Sequence, residues 1–206
     1  MPKVRSAAAR QKHSERFLLN VHSVLERSEA NGPGVRSVVW FQGCQIRCPG
    51  CWNPDTHSTE NSSLVSVDEL LERFLAIDVD GITLTGGEPL DQMDGCIELA
   101  RRVKSSGRSV VLFTGYHMSE ITRRAATSVL QSCFDSILCG PYNRALEETA
   151  ELGLLRDKVI WHLSETYSDE DFLSLPEAEI IIAQDYSIVT GLGLPTQKRD
   201  RAWFSS

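Results

Sequence analysis

The central part of the chain alternates short apolar runs with amphipathic segments. Runs rich in β-branched residues predict strands, and apolar residues at three- and four-residue spacing predict helices. This order implies parallel strands joined by right-handed helical crossovers. The predicted strands are residues 37–41, 81–85, 109–114 and 135–139, and the predicted helices are residues 66–77, 91–104 and 119–130.

Four or five such units are too few to close an eight-stranded barrel. The sequence therefore predicts an α/β fold that forms a partial, open TIM-type barrel. A strand is also predicted at residues 17–24, and a strand pair at residues 179–183 and 187–190. Because no repeat or low-complexity linker divides the chain, we expect one domain over residues 17–195. A basic tail over residues 1–16 and a second tail over residues 196–206 would flank it.

The charge balance narrows the class of partner. The 206 residues include 21 Lys and Arg against 28 Asp and Glu, a net charge of −7. An excess of acidic residues disfavours binding to nucleic acid or to anionic lipid. No apolar run reaches the roughly 18 residues that a membrane span needs. The basic segment at residues 1–16 fits a solvated tail better than a targeting peptide, so we expect a cytoplasmic protein without nucleic-acid or membrane partners.

Three of the six cysteines are clustered. Cys44, Cys48 and Cys51 lie on a loop rich in glycine and proline, directly after a predicted strand. In a reducing compartment such clusters indicate metal or redox chemistry. A structural zinc site would need a fourth ligand, for which His57 is the nearest candidate. The alternative is a four-iron cluster whose fourth iron keeps an open position. We interpret the scattered cysteines as small apolar residues; they are Cys96, Cys133 and Cys139.

Glycines and polar residues also mark two strand ends. Gly86 and Gly87 precede Glu88, and Thr114 and Gly115 close the next strand. Paired glycines allow a ligand to approach the backbone closely. They equally fit a tight turn that places Glu88 near a helix N-terminus. Because the carboxyl ends of parallel strands meet at one rim, we expect these residues to lie together there.

The spacing Cys-x3-Cys-x2-Cys, with its flanking residues, carries a family resemblance. It is similar to the cluster motif of the radical S-adenosylmethionine (SAM) superfamily. The flanks, Phe41-Gln42-Gly43 before the first cysteine and Trp52-Asn53-Pro54-Asp55-Thr56 after the last, resemble those of glycyl-radical-enzyme activating proteins. The likeness is greatest to the anaerobic ribonucleoside-triphosphate reductase activators, with a relation to pyruvate formate-lyase activators. It covers about residues 20–195 and implies an open barrel of the radical SAM type.

The resemblance implies two cofactors, one [4Fe-4S] cluster and SAM. The cluster would be held by Cys44, Cys48 and Cys51, and its free iron would bind SAM. Since radical chemistry of this kind needs no general base, no catalytic residue is assigned beyond the cluster and SAM. The SAM-binding residues implied by the resemblance are Gly50, Trp52, Gly86, Gly87, Glu88, Thr114 and Gly115. Trp52 equally fits an aromatic that packs on the cluster and excludes solvent.

The resemblance also implies an activity. A flavodoxin- or ferredoxin-type donor would reduce the cluster, SAM would be cleaved to a 5′-deoxyadenosyl radical, and the radical would take hydrogen from a glycine of a partner glycyl radical enzyme. The anaerobic ribonucleotide reductase is the partner expected. The resemblance places the stretch of Gly32, Pro33, Gly34 and Arg36 near the partner's glycyl loop. On its residues alone, this stretch reads as a pair of β-turns.

Two departures from the family pattern keep alternatives open. Cys139 stands where the family usually has an acid before a glycine, and residues 152–158 lack the usual Gly-Ser-x-Asn-Gln stretch. One alternative is a radical SAM enzyme of the same fold that modifies a peptide or a small molecule. The other is a non-catalytic iron–sulfur or zinc protein.

Overall fold

The computed structural model describes residues 17–61, 63–143, 158–182, 186–191 and 197–200. The predicted tail over residues 1–16 lies outside these ranges. Residues 197–200, which belong to the predicted C-terminal tail, form a strand.

A seven-stranded sheet forms the main body of the described chain. Four central strands, β2, β4, β5 and β6, run parallel, and antiparallel strands flank them on both sides. The linear order β3-β1-β2-β4-β5-β6-β7 leaves the sheet open, which confirms the predicted α/β partial barrel. The strands are β1 (Leu18–Ser28), β2 (Arg36–Phe41), β3 (Leu64–Ser66), β4 (Gly81–Gly86), β5 (Ser109–Thr114), β6 (Ser136–Cys139) and β7 (Val159–His162).

Helices connect the parallel strands. They are α1 (Val67–Leu75), α2 (Met93–Ser105), α3 (Met118–Arg124), α4 (Thr127–Cys133) and, after β7, α5 (Asp169–Leu173). Helix α1 begins as its capping sequence predicts, because the Ser66 hydroxyl accepts a 3.1 Å hydrogen bond from the Glu69 backbone amide. None of the described helices is both long and apolar enough to cross a membrane.

The single helix predicted at residues 119–130 is wrong, since the segment forms α3 and α4. Ala125 and Ala126 adopt extended backbone conformations between the two helices. Ile121 and Leu130 are both completely buried. In a continuous helix these two residues would be about two and a half turns apart and would face opposite sides. The break allows both side chains to enter the core.

The sheet buries different clusters on its two faces. Helices α1 to α4 cover one face, where the main core contains Val39, Phe41, Ile82, Leu84, Val110 and Leu112 of the parallel strands. Alternate residues point to the other face, where Val111 and Leu138 pack against Phe172 of α5. Neither β7 nor α5 is predicted from the sequence, and they span only four and five residues.

A second, three-stranded antiparallel sheet lies near the end of the chain. Its order is β10-β9-β8, with β8 (Glu179–Ile182), β9 (Tyr186–Thr190) and β10 (Gln197–Asp200). Strands β8 and β9 pair as the sequence predicts.

Arg36, at the start of β2, is completely buried. Its guanidinium donates hydrogen bonds to Thr83 Oγ1 (2.9 Å), Pro33 O (2.8 Å), Ile82 O (2.6 Å), Ser109 Oγ (3.1 Å) and Tyr167 Oη (2.9 Å). Burial lowers the pKa of this guanidinium, against a raising effect from Tyr167. Arg36 therefore joins β2, β4, β5 and the segment before α5.

The stretch from Gly32 to Arg36, which the resemblance places near a partner, is thus mostly buried. Gly32 and Pro33 are buried like Arg36, while Gly34 is exposed. A guanidinium committed to five internal acceptors is not free for a partner contact. The structure gives Arg36 a structural role, and the partner contact expected of this stretch stays a prediction.

Replacing Arg36 by Met leaves several buried acceptors without a donor. We expect the free energy of unfolding to fall by about 3 kcal/mol. Arg101→Met is the matched control, since Arg101 is exposed and pairs with Glu98 on the surface, and should cost less than about 1 kcal/mol. Urea unfolding of both variants measures the difference. Equal losses would show that Arg36 does not brace the sheet.

Candidate metal centre

A cavity lies at the carboxyl ends of β2, β4 and β5. It encloses about 850 Å³ of empty space, part of which is open to solvent. Most of the predicted site residues line it together, namely Cys44, Cys48, Cys51, Trp52, Gly86, Gly87, Glu88, Thr114 and Gly115. Gly50 is exposed in the cysteine loop and is not among the lining residues.

The three clustered cysteines all carry free thiols. Cys44 is buried, and Cys48 and Cys51 are half-buried. The Cys51 amide donates to the Cys48 carbonyl at 3.1 Å, which closes a tight turn between them. Burial raises the pKa of the Cys44 and Cys51 thiols. A bound metal would oppose this effect, because a cation favours the thiolate.

The arrangement of these thiols bears on the kind of metal site that they could form. Among the described residues, no group of three or more His, Cys, Asp or Glu side chains is placed to hold a metal ion. In a four-iron cluster each cysteine bonds a different iron, so the thiols surround the cluster rather than meet at one point. Three separate thiols around one cavity fit this arrangement.

The backbone on both sides of the cysteine loop is fixed. At its start, the Gly43 amide donates to the Thr56 carbonyl at 2.8 Å. The buried Gln42 side chain donates to the Ser58 carbonyl at 2.8 Å, and its oxygen lies 2.9 Å from Nδ1 of His22. The loop is therefore closed at the end of β2, and its thiols face the cavity from a fixed base.

The glycine pair after β4 brings two loops into contact. The Gly87 amide donates to the Phe41 carbonyl at 2.9 Å, and the Glu88 amide donates to the Gly43 carbonyl at 2.8 Å. A Cβ atom on Gly87 would lie 2.3 Å from the Gly43 carbonyl oxygen. The space beside Gly87 is therefore occupied by the chain's own backbone, at the start of the cysteine loop.

Glu88 is 1% exposed and holds two segments together. Its carboxylate accepts hydrogen bonds from Leu90 N (2.9 Å), Thr114 Oγ1 (2.8 Å) and Gly115 N (2.8 Å). The first bond caps the 3-10 turn Pro89–Gln92, so the turn-capping interpretation of Glu88 is correct. The other two hold the end of β5. Burial raises the pKa of Glu88 to about 7, although the hydrogen bonds lower it.

Sequence reasoning missed several lining residues. Tyr142 lies just beyond β6, and its ring centroid is 5.5 Å from that of Trp52. Lys158 precedes β7, contacts the Gly140 carbonyl and also lines the cavity. The rule that strand ends meet at one rim applies equally to Tyr142. Cys139, by contrast, belongs to the main core, where burial raises its pKa to about 11.

Three thiols on one cavity at the carboxyl rim of an open α/β barrel can hold an iron–sulfur cluster. Residues 30–158 match the family described as 4Fe-4S single cluster domain. The chain belongs to this family. The predicted iron–sulfur cofactor is thereby confirmed.

Curated relatives match part of the chain. It is 35% identical to the pyruvate formate-lyase-activating enzyme of Clostridium pasteurianum over 103 residues, 47% of this chain and 43% of the relative. The enzyme of the same name from Listeria monocytogenes is 41% identical over 93 residues, 42% of this chain and 38% of the relative. The chain thus spans about two fifths of the length of these relatives. The crystal structure of QueE from Escherichia coli is 16% identical, with a TM-score of 0.41, over 54% of this chain and 58% of that one.

Gly87→Ala should displace the cysteine loop, because the added methyl group overlaps the Gly43 carbonyl. We expect the iron bound per chain after anaerobic reconstitution to fall at least about threefold. A loss of under about 1 kcal/mol in binding free energy is enough for such a change. Gly107→Ala is the control. Gly107 has a positive φ of 85°, and no atom lies within 4 Å of its added methyl group. If both variants bind iron alike, the contact between Gly87 and the Gly43 carbonyl does not control iron binding.

The raised pKa of Glu88 makes stability depend on pH. Its ordinary pKa is 4.5, and in the folded protein it is about 7. Between these values the folded state holds the extra proton, so the contribution of Glu88 to stability falls as pH rises through this window. Across the whole window, the free energy of unfolding falls by about 3 kcal/mol through Glu88.

Glu88→Gln should remove this pH dependence. Comparison of the cluster-free protein and the variant by urea unfolding at pH 4.5 and pH 8 measures it. The wild type should lose more stability than the variant on going to pH 8. Parallel pH profiles would show that Glu88 keeps an ordinary pKa in the folded protein.

Proposed function

We propose that the chain is a radical SAM enzyme that activates a partner glycyl radical enzyme. The observation that carries the proposal is the single cavity in which three cysteine thiols face the Glu88–Thr114–Gly115 cluster. The curated relatives named pyruvate formate-lyase-activating enzyme support this class of activity. Within the chain, residues 17–195 would form the functional domain.

Cys44, Cys48 and Cys51 would hold three irons of the cluster and leave the fourth open to SAM. When bound, the cluster and SAM supply the one-electron cleavage that yields a 5′-deoxyadenosyl radical. The tight turn between Cys48 and Cys51 and the closed base of the loop keep the thiols in place. The cofactor supplies the reactive chemistry, while the protein orients it.

The remaining lining residues would bind and shield SAM. A carboxylate offers about four acceptor positions, and Glu88 uses three of them within the chain. The fourth suits the ammonium group of SAM, whose positive charge would favour ionised Glu88. Trp52 and Tyr142, in ring contact at one side of the cavity, offer an apolar surface for the adenine and exclude water.

The identity of the partner enzyme is a separate, more specific part of the proposal. The flanks of the cysteine motif favour a glycyl radical enzyme of the anaerobic ribonucleotide reductase type as the partner. A flavodoxin- or ferredoxin-type donor in the cytoplasm would reduce the cluster of this chain. The relatives' names point to pyruvate formate-lyase as the other partner to test. The resemblance implies a large partner that presents a glycine on a loop to the activator.

The test begins with anaerobically reconstituted protein given dithionite and SAM. We expect 5′-deoxyadenosine from the wild type and at least a hundredfold less from Cys48→Ala, which removes one iron ligand. Cys133→Ala is the matched control, because Cys133 is completely buried in the core outside the cavity. Its product should stay within about twofold of the wild type.

Addition of each candidate partner then tests the substrate. A glycyl radical signal in electron paramagnetic resonance (EPR) that depends on SAM and Cys48 would identify the partner. Cleavage of SAM without a radical on either partner would favour the peptide- or small-molecule-modifying alternative. A cluster-loaded protein that never cleaves SAM would contradict the proposal as a whole.

A further inference from the structure

The imidazole of His57 has an unsatisfied nitrogen beside the cysteines. Its Nε2 atom is buried, and within the described part of the chain it has no hydrogen-bond partner. Buried polar atoms in native proteins nearly always have one. His57 lines the same cavity as Cys44, Cys48 and Cys51, and it alone does so among the described histidines.

The position of this ring is built into the fold. His57 ends the 3-10 turn Pro54–His57. The residue before it, Thr56, accepts a hydrogen bond from the Gly43 amide, and the residue after it, Ser58, accepts one from the Gln42 side chain, both at 2.8 Å. Backbone on either side of His57 is therefore attached to the end of β2, which holds the ring at the cavity.

Two other polar groups of the cavity already have partners. Glu88 accepts three hydrogen bonds, and the Thr114 hydroxyl donates to Glu88 and accepts from the Tyr116 amide at 3.1 Å. An acceptor for His57 Nε2–H is then expected from what fills the cavity. The sulfurs of a cysteine-bound cluster are such acceptors, and hydrogen bonds to them are a known means of setting cluster potentials.

We propose that His57 is a positioning residue whose Nε2–H donates a hydrogen bond to a sulfur of the cluster held by Cys44, Cys48 and Cys51. The inference rests on the proposed cluster site. Reduction adds negative charge to the cluster, and a hydrogen bond to a charged acceptor is stronger. The His57 donor therefore stabilises the reduced state and raises the reduction potential. Because the proposed site leaves the fourth iron open to SAM, the ring acts as a donor and not as an iron ligand.

His57→Phe tests this directly, since it keeps an aromatic ring and removes the donor. We expect a tenfold smaller equilibrium constant for reduction, which is about 59 mV for a one-electron couple. The measurement is an EPR-monitored redox titration of the reconstituted protein. His57→Gln retains an N–H donor and should recover at least part of the reduction potential that His57→Phe loses.

His162→Phe is the matched control. Both ring nitrogens of His162 have partners, Ser136 Oγ and Asp169 Oδ1, each at 3.0 Å, and the ring lies outside the cavity. Its loss should leave the potential unchanged. An equal shift in His162→Phe would overturn the proposal, because it would report general loosening of the fold.

Wild-type protein labelled with ¹⁵N-histidine provides a second measurement that needs no unstable variant. A weak nitrogen coupling to the reduced cluster that is absent from labelled His57→Gln supports the hydrogen bond. A strong coupling would show that His57 ligates iron, and no coupling would show that it makes no contact; either overturns the inference. The proposed function fails separately, if the wild type binds no cluster or cleaves no SAM.

Discussion

Two backbone hydrogen bonds join the end of β2 to the loop after β4, and the arrangement of the site depends on them. Through these bonds the entry to the cysteine loop and the turn that begins at Glu88 become one unit. They form only because Gly87 has no side chain, since a Cβ atom would overlap the Gly43 carbonyl. The cysteine loop and the loop after β4 can in this way keep a constant separation without any side chain between them.

Glu88 extends this unit to a third strand. It is buried at a free-energy cost, which its raised pKa reflects, and three hydrogen bonds from Leu90, Thr114 and Gly115 offset part of that cost. Gly115 lies under Ile46 of the cysteine loop, since a Cβ atom on it would lie 2.6 Å from Ile46 Cδ1. The ends of β2, β4 and β5 are therefore mutually attached, and the cavity between them is preorganised rather than assembled by its ligand.

Much of this arrangement was predictable from the sequence, for identifiable reasons. The parallel strands are short, mostly apolar runs, and the three thiols stand out by their spacing. Contacts between distant segments were not predictable. The sequence around Arg36 predicts only a pair of β-turns, yet β4, β5 and Tyr167 supply acceptors for its guanidinium. The break at Ala125 and Ala126 serves the packing of Ile121 and Leu130 and has no local glycine or proline signal.

The burial of the remaining cysteines divides the six thiols into two chemical classes. Cys96, Cys133 and Cys139 are within 2% of complete burial, and burial raises the pKa of each. They stay protonated and shielded, so they neither scavenge iron or sulfide during cluster assembly nor react readily with oxidants. Oxidative damage is thereby directed to the cavity, where it removes a replaceable inorganic group and spares the packing of the barrel.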